Sequence, residues 1–507
     1  MFIRRKKNAS GSTSILIIEK RNRKNVVLKI IGASTDAVEI AHFYNKALKE
    51  IQRLQLSNPL PFDQSAELAF ADSFTNCIES FSLVGPELLL GKIFDEIGFD
   101  AIGDELFRHL VLTRLVYPVS KLKTVDYLFK YQGLCISVYS IYRYLDKLQK
   151  GQIEKVKDIC LKHTQKLLGS ETGIVFYDVT TLYFESKEED EFKRMGFSKD
   201  GKHQQPQIVL GLLVSRGGYP LDYDVFEGNK YEGDTLIPII EHFADKHRLQ
   251  QLIVVADAGL LSQKNIDLLS AKKYQYILGA RIKNEGDIMT RQILALQLQD
   301  GQSAAIPRKD GTQLIVSYKK ARAINDYNNR KRGLDKLEKK IKSGKLTKQH
   351  INNKGYNKYL NIVGEATISI NKEKYEDDKK WDGLKGYRTN TNLNKDEVIE
   401  QYHQLWQIEK AFRISKHDLQ IRPIYHHLQR RIEAHICIAF AACKIYKELE
   451  RQLKEKKEAL SPEKAIDILK TIYSVEFETP YSTKIYKRLI LKTNEQKELI
   501  NLFSLNL

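Results

Sequence analysis

Between Gly173 and Lys272 the helical periodicity of the preceding segment gives way to short apolar runs, and two of these end on an aspartate. GIVFYDVTTLYFES places Asp178 behind IVFY, and LIVVADAG places Asp257 behind LIVVA. Between them, IVLGLLV (208–214), the turn Ser215-Arg216-Gly217-Gly218 and YPLDYDVFEG (219–228) read as a strand and its return. A helix is predicted from Gly233-Asp234 to about His247, with Asp234 as its N-cap, and another over Ser262–Lys272. Strand, hairpin, helix, strand, helix is the order of a mixed sheet with helices on its faces. The fold class is therefore α/β.

The flanking text differs in kind. Residues 13–32 alternate apolar and polar, which predicts a β-hairpin, with a helix over 34–55. From about 85 to 170 apolar residues recur at threes and fours. Within that stretch a helix carrying Tyr142, Arg143 and Lys147 follows two short helices, a pattern open to a helix-turn-helix reader or an ordinary bundle. From 281 to 380 strand-like pieces (QLIVSYKK, ATISINKEKY) surround a basic helical stretch, which reads as an insertion. A long helix over Lys395–Asp418, another over about 426–456, and an amphipathic basic tail complete the chain.

Charge then selects the partner. The sequence holds 82 Lys+Arg against 64 Asp+Glu, a net charge of +18, which points first to nucleic acid. No apolar run approaches the roughly 18 residues of a spanning helix. The basic N-terminus is followed only by the short apolar Ile15–Ile18, too little for a signal peptide. The five cysteines form no CxxC pair, so zinc and disulfide frameworks are unsupported and buried free thiols in the cytoplasm are expected. His203 and His435 lack a partner at ligand spacing and read as loop and core histidines. No GxxxxGK[ST] loop is present.

Asp178 and Asp257, on neighbouring strands, would stand close together, and such a pair is costly unless cations neutralise it. Mg²⁺ takes oxygen ligands of this kind. Taken singly, either aspartate could cap a helix or a turn. A third acid, Glu409, lies on YHQLWQIEKAFRISKHDL, where Tyr402, Glu409 and Lys416 recur every seven residues and share a face, with Arg413 near it. Acid beside base suits a metal-bound phosphate backbone. Trp381 is an aromatic in a charged loop, suited to stacking on a base or to anchoring a strand.

YDVTTLYFE, VVADAGL and the spacing Tyr402-x2-Leu405-x3-Glu409-x6-Lys416 resemble the DDE transposases of bacterial insertion sequences, in the group with the Tyr-x2-Arg-x3-Glu-x6-Lys signature. Asp382-Gly383 ahead of Thr389-Asn390, and RPIYHHLQRRIEAHI (422–436), extend the likeness, which runs to about residue 445. The resemblance implies a ribonuclease-H-like catalytic domain with an insertion, plus helical N-terminal and C-terminal regions. Asp178, Asp257 and Glu409 would be the catalytic, metal-binding triad, holding two Mg²⁺ ions for which Mn²⁺ substitutes. Tyr402 and Lys416 would contact DNA near the scissile phosphate. Leu405 stands where the family has arginine, and Arg413 supplies a guanidinium one turn beyond Glu409.

The expected division is a small β/α segment (1–60), a helical region for DNA binding (61–170), the catalytic domain (171–280 and 381–456), the insertion (281–380) and a helical tail (457–507). Expected partners are double-stranded DNA, both element terminal repeats and target, and a second copy of the chain in a homodimer. The expected location is cytoplasmic and nucleoid-associated, with no membrane. Rival readings are a metal-dependent nuclease that cuts without joining, and a non-catalytic DNA-binding remnant.

Overall fold

A computed structural model of the chain describes residues 1–21, 24–55, 71–73, 75–169, 173–198, 201–202, 204–247, 252–260, 262–343, 355–363, 367–478 and 484–506. His203 and the end of the basic stretch (344–350) lie outside them. The chain divides into two compact units, residues 1–89, 126–135 and 464–507 in one and 90–125 and 136–463 in the other.

The first unit begins with a three-stranded antiparallel sheet, β1 (Phe2–Lys7), β2 (Thr13–Arg21) and β3 (Lys24–Ser34), backed by helix α1 (Ala37–Gln55). The expected hairpin and helix are present, and the basic FIRRKK run adds a strand. Its exposed lysines and arginines suit an edge strand that must not recruit another chain. Ile15 and Ile17 on β2 bury against Ala47 and Ile51 on α1. Strand β4 (Ile78–Leu83) follows.

The second unit opens with helices α2 (Lys92–Ile97), α3 (Glu105–Val116), α4 (Lys121–Gln132, its C-terminal part in the first unit), α5 (Val138–Gly151) and α6 (Ile153–Leu168). On α5, Lys147 pairs with Asp104 at 2.8 Å, Arg143 donates to Ser140, and Tyr142 packs between His426 and the Arg431 guanidinium, so all three residues of the DNA-reading pattern are engaged within the unit. Then come β5 (Ile174–Tyr183), β6 (Gln207–Ser215), β7 (Pro220–Glu227), α7 (Leu236–His247), β8 (Ile253–Ala256), α8 (Gln263–Ala271) and β9 (Gln275–Ala280). Asp234 is not the cap of α7. It lies in a 3₁₀ turn, Glu232–Asp234, and its carboxylate pairs with Lys264 at 3.2 Å.

Beyond β9 follow α9 (Asp287–Ala295), β10 (Ser303–Pro307), β11 (Gln313–Tyr318), α10 (Lys320–Lys342), the hairpin β12 (Leu360–Val363) and β13 (Thr367–Ile370), α11 (Lys372–Lys379) and β14 (Leu384–Thr389). One eight-stranded sheet runs β10-β11-β14-β9-β8-β5-β6-β7, with β5–β8 and β8–β9 parallel and the other pairs antiparallel. The expected mixed sheet is therefore present, and β10 and β11 lengthen it. β6 is buried at every position, as its unbroken apolar text requires. Trp381 packs on the cluster of Ile282, Ile306, Leu314 and Val316, which is the strand-anchoring role.

The unit closes with α12 (Lys395–His403), α13 (Trp406–Arg413), a π turn (Ile414–Asp418) and α14 (Gln429–Glu455). The chain then returns to the first unit through α15 (Pro462–Leu469), β15 (Tyr473–Glu478), β16 (Ile485–Ile490) and α16 (Asn494–Phe503). The wholly helical tail is corrected here. YSVEFE and IYKRLI form antiparallel strands, and β15 also pairs with β4. No described helix is long and apolar enough to cross a membrane. Cys160, Cys437 and Cys443 are buried free thiols as expected, whereas Cys135 is exposed.

Candidate active site

The parallel pairing of β5 with β8 places the first two acids. Tyr177 is opposite Ala256, and the pairing stops there. Asp178 and Asp257 are the next residues on the two strands, so register alone brings them side by side. Asp178 does not end its strand, as the apolar run suggested. β5 continues to Tyr183 against β6, with Asp178 opposite Leu212. The two threonines after it are strand residues, so no cap forms there. Asp257 keeps its turn role as well, since its Oδ1 accepts from the amide of Gly259.

The third acid arrives on a broken helix. The single helix expected over Lys395–Asp418 is interrupted at Gln404–Leu405, where Leu405 N donates to Tyr402 O and Ile408 N to Leu405 O, both at 3.1 Å. These i→i+3 bonds tighten the turn, and the π turn after Arg413 widens the next one. The seven-residue face therefore does not run straight. Asp178, Asp257, Tyr402 and Glu409 line one cavity of about 320 Å³, together with Leu405 and Trp406. Arg413 and Lys416 are not part of its wall. Arg413 is exposed and Lys416 half-buried, one and two turns beyond Glu409.

Tyr402 is buried, with 7% of its surface exposed. Its ring meets Tyr387 of β14 edge-on at 4.8 Å. Its hydroxyl lies against Gly279 of β9, where the absence of a side chain lets helix and strand approach. Burial, followed by the charge of Asp257, raises its pKa.

Sequence reasoning missed the cations of the cavity. Lys385, on β14, is half-buried in the wall, and its Nζ stands 4.4 Å from the centre of the Tyr402 ring. Burial lowers its pKa and Arg322 adds to the effect, while Asp257 and Glu409 oppose it. His403, also in the wall, is lowered by burial and then by Lys319 and Lys385. Lys319, acting on both, and Arg322, acting on Lys385, thus add to the positive field there without lining the cavity. Trp406 was missed too, and its indole is 49% exposed at the cavity.

Three carboxylates in one cavity are oxygen donors of the kind that hard divalent cations take, so the donor set fits such an ion in its chemistry. Among the described residues no three His, Cys, Asp or Glu side chains already converge to ligand distance.

The description "Transposase DDE domain" belongs to a family model that matches residues 169–443, more than half the chain and all three acids. No curated protein is matched significantly. Among solved structures, a piggyBac transposase synaptic complex with hairpin DNA is 12% identical over 78% of this chain and 80% of its own, with a TM-score of 0.39. A Mos1 transposase paired-end complex with the left transposon end is 11% identical over 47% and 74%, with a TM-score of 0.16. Likenesses at that level add nothing to the family match.

Proposed function

We propose, for a chain that belongs to the transposase DDE-domain family, that Asp178, Asp257 and Glu409 are the acids at which its reaction takes place. The protein is a DNA transposase, an enzyme that cleaves DNA strands and transfers them. One observation carries the assignment: three acids far apart in the sequence line a single cavity. The rest of the reading is a ribonuclease-H-like catalytic sheet, an insertion between the second and third acids, and a homodimer holding two element ends.

Asp178, Asp257 and Glu409 would hold two Mg²⁺ ions, with Mn²⁺ as substitute. When bound, they supply Lewis-acid stabilisation of the entering and leaving oxygens in an in-line displacement at phosphorus. The chain's own residues do the rest. The β5–β8 register sets one carboxylate on β5 beside another just past the end of β8, and α13 carries the third. Two unit charges 4 Å apart repel by about 4 kcal/mol at an effective dielectric constant near 20. Lys385 offsets part of that repulsion, since Asp257 and Glu409 both act on it. The buried Tyr402 ring supports Lys385 from below and meets DNA only through the edge that lines the cavity. Arg413 and Lys416, outside the wall, contact the DNA backbone flanking the scissile phosphate.

The test uses labelled DNA carrying the element's own terminal repeats, with Mg²⁺ or Mn²⁺, and compares wild type with Glu409→Gln. Cuts at the ends, joining of pre-cleaved ends to target, and loss of both in the variant are expected. Cutting at unrelated sites, indifferent to the substitution, would sink the assignment.

A further inference from the structure

α3 is buried on nearly every side, and Arg114 sits in its last turn among Val111, Leu112, Leu115 and Val116. Arg114 is 5% exposed, and its Nε has no hydrogen-bond partner. Lys121, the first residue of α4, is likewise 5% exposed. No described carboxylate acts on either: burial alone lowers Arg114, and burial with Arg114 pushes Lys121 well below its ordinary range. Elsewhere in the second unit most buried cations are matched by a carboxylate, Lys444 excepted, whose Nζ is bonded to Thr164 Oγ1. Lys157 meets Asp222 at 2.9 Å and Lys447 meets Glu450 at 2.6 Å. Asp146 on α5 is taken by Arg430 and Arg431, each at 2.9 Å.

Two histidines complete the group. His435 of α14 is 6% exposed, with Nε2 3.0 Å from the carbonyl oxygen of Ile421 and Nδ1 unpartnered. His426, in the segment leading into α14, stacks edge-on against it at 5.6 Å and is only partly covered. Both rings sense the same positive field. Burial and then Lys121 and Arg114 push His426 down to about 3, and burial with Arg114, Lys121 and His426 pushes His435 well below its ordinary range.

An arginine cannot shed its charge to escape such a place. Burial brings Arg114 only to about 10, so it is cationic at neutral pH. Leaving a buried charge uncompensated costs several kcal/mol. The missing partner of Arg114 is an anion, and its guanidinium together with Lys121, which a bound anion would hold in the ammonium form, matches a tetrahedral oxyanion. We propose that Arg114 and Lys121, with His426 and His435 nearby, form a binding site for a phosphate-class oxyanion, separate from the three acids. The phosphate comes from the DNA backbone or from free anion; the chemistry is shared.

The test is thermal unfolding of the full-length protein with increasing inorganic phosphate, ionic strength being held constant with KCl. Wild type should show a saturable rise in transition temperature, following the logarithm of one plus ligand over Kd. Lys121→Met removes the charge and keeps the stem. It should match or exceed wild type in phosphate-free buffer, because a buried amine without a partner has gone, and should bind phosphate at least about tenfold more weakly. Arg114→Met should do the same; if it fails to fold, Lys121→Met decides. A wild-type protein indifferent to phosphate, or an undiminished response in Lys121→Met, overturns the site. Competition separates the sources. If phosphate displaces duplex DNA from wild type beyond the effect of KCl, and not from Lys121→Met, the DNA backbone is the natural occupant. Stabilisation without displacement identifies a free anion.

Discussion

Gly279→Ala puts one methyl group between the elements that carry two of the three acids. A Cβ at Gly279 would overlap the Tyr402 hydroxyl and stand 2.9 Å from the amide nitrogen and 3.2 Å from the Cβ of Ala258. Ala258 follows Asp257, and Tyr402 lies on α12, joined to the Glu409 helix α13 by the tight turn at Gln404–Leu405, so backbone relief of the overlap shifts the chain beside one acid or the other. Overpacking of this kind costs about 1–3 kcal/mol. A reacting group displaced by about 1 Å costs on the order of 100-fold in rate. The variant should therefore bind end DNA as wild type does and cleave it about 100-fold more slowly in single turnover. Adding Tyr402→Phe removes the overlapping oxygen and should restore part of the rate, though the contact with Ala258 persists. Cleavage by Gly279→Ala at the wild-type rate would refute the claim that the β9–α12 contact sets the spacing of the acids.

Further predictions concern the supports of the site and its outer face. Lys410, beside Glu409, pairs with Glu450 of α14, which also pairs with Lys447 and Lys454. Burial raises the Glu450 carboxyl, but these lysines outweigh it and hold it at about 2 instead of its usual 4.5. A depressed carboxyl stabilises the fold above its unfolded pKa and loses that contribution as pH falls through the folded one. Acid unfolding of Glu450→Gln should accordingly be flatter between pH 4.5 and about 2. Lys157→Met strands buried Asp222 and should cost about 3–5 kcal/mol in denaturant unfolding, with most recovered in Lys157→Met/Asp222→Leu. Trp406 emission should be quenched when single-stranded end DNA enters the cavity, and Trp406→Ala should weaken that binding by about 1–3 kcal/mol. Lys416→Ala should bind DNA more weakly, with a salt slope about one unit shallower.

The central sheet was legible because its strands are buried on both faces and their text is unbroken. GIVFY, IVLGLLV and LIVVA admit no amphipathic helix, and the Gly217-Gly218 turn sets the β6–β7 return. The tail misled because amphipathicity was read there without its period: YSVEFE alternates by two, and charge at every other position suits a strand as well as a helix face. FIRRKK was missed for the opposite reason, since an exposed edge strand needs almost no apolar residues. Its evidence is its antiparallel partner β2, paired from Lys7 with Thr13 to Phe2 with Ile18, which no local pattern reports.

At the site, the acids were legible and the cations were not, and the asymmetry has a physical origin. An aspartate directly after a run of four apolar residues, three of them buried, interrupts text that would otherwise continue into the core, so its presence needs a reason. A lysine in a chain with 82 basic residues needs none, and LKGYRT reads as any edge-polar strand. What makes Lys385 part of the cavity is β14 pairing with β9, a contact across more than a hundred residues of sequence. The phase of Arg413 and Lys416 was illegible for a different reason. Seven-residue spacing keeps a face only while every turn has the same pitch, and here a tight turn precedes Glu409 and a π turn follows Arg413. The helix thus turns its acid into the cavity and its later bases away from it. Bases so placed can hold DNA strands flanking the acids, but cannot occupy the space where phosphate and metal must meet.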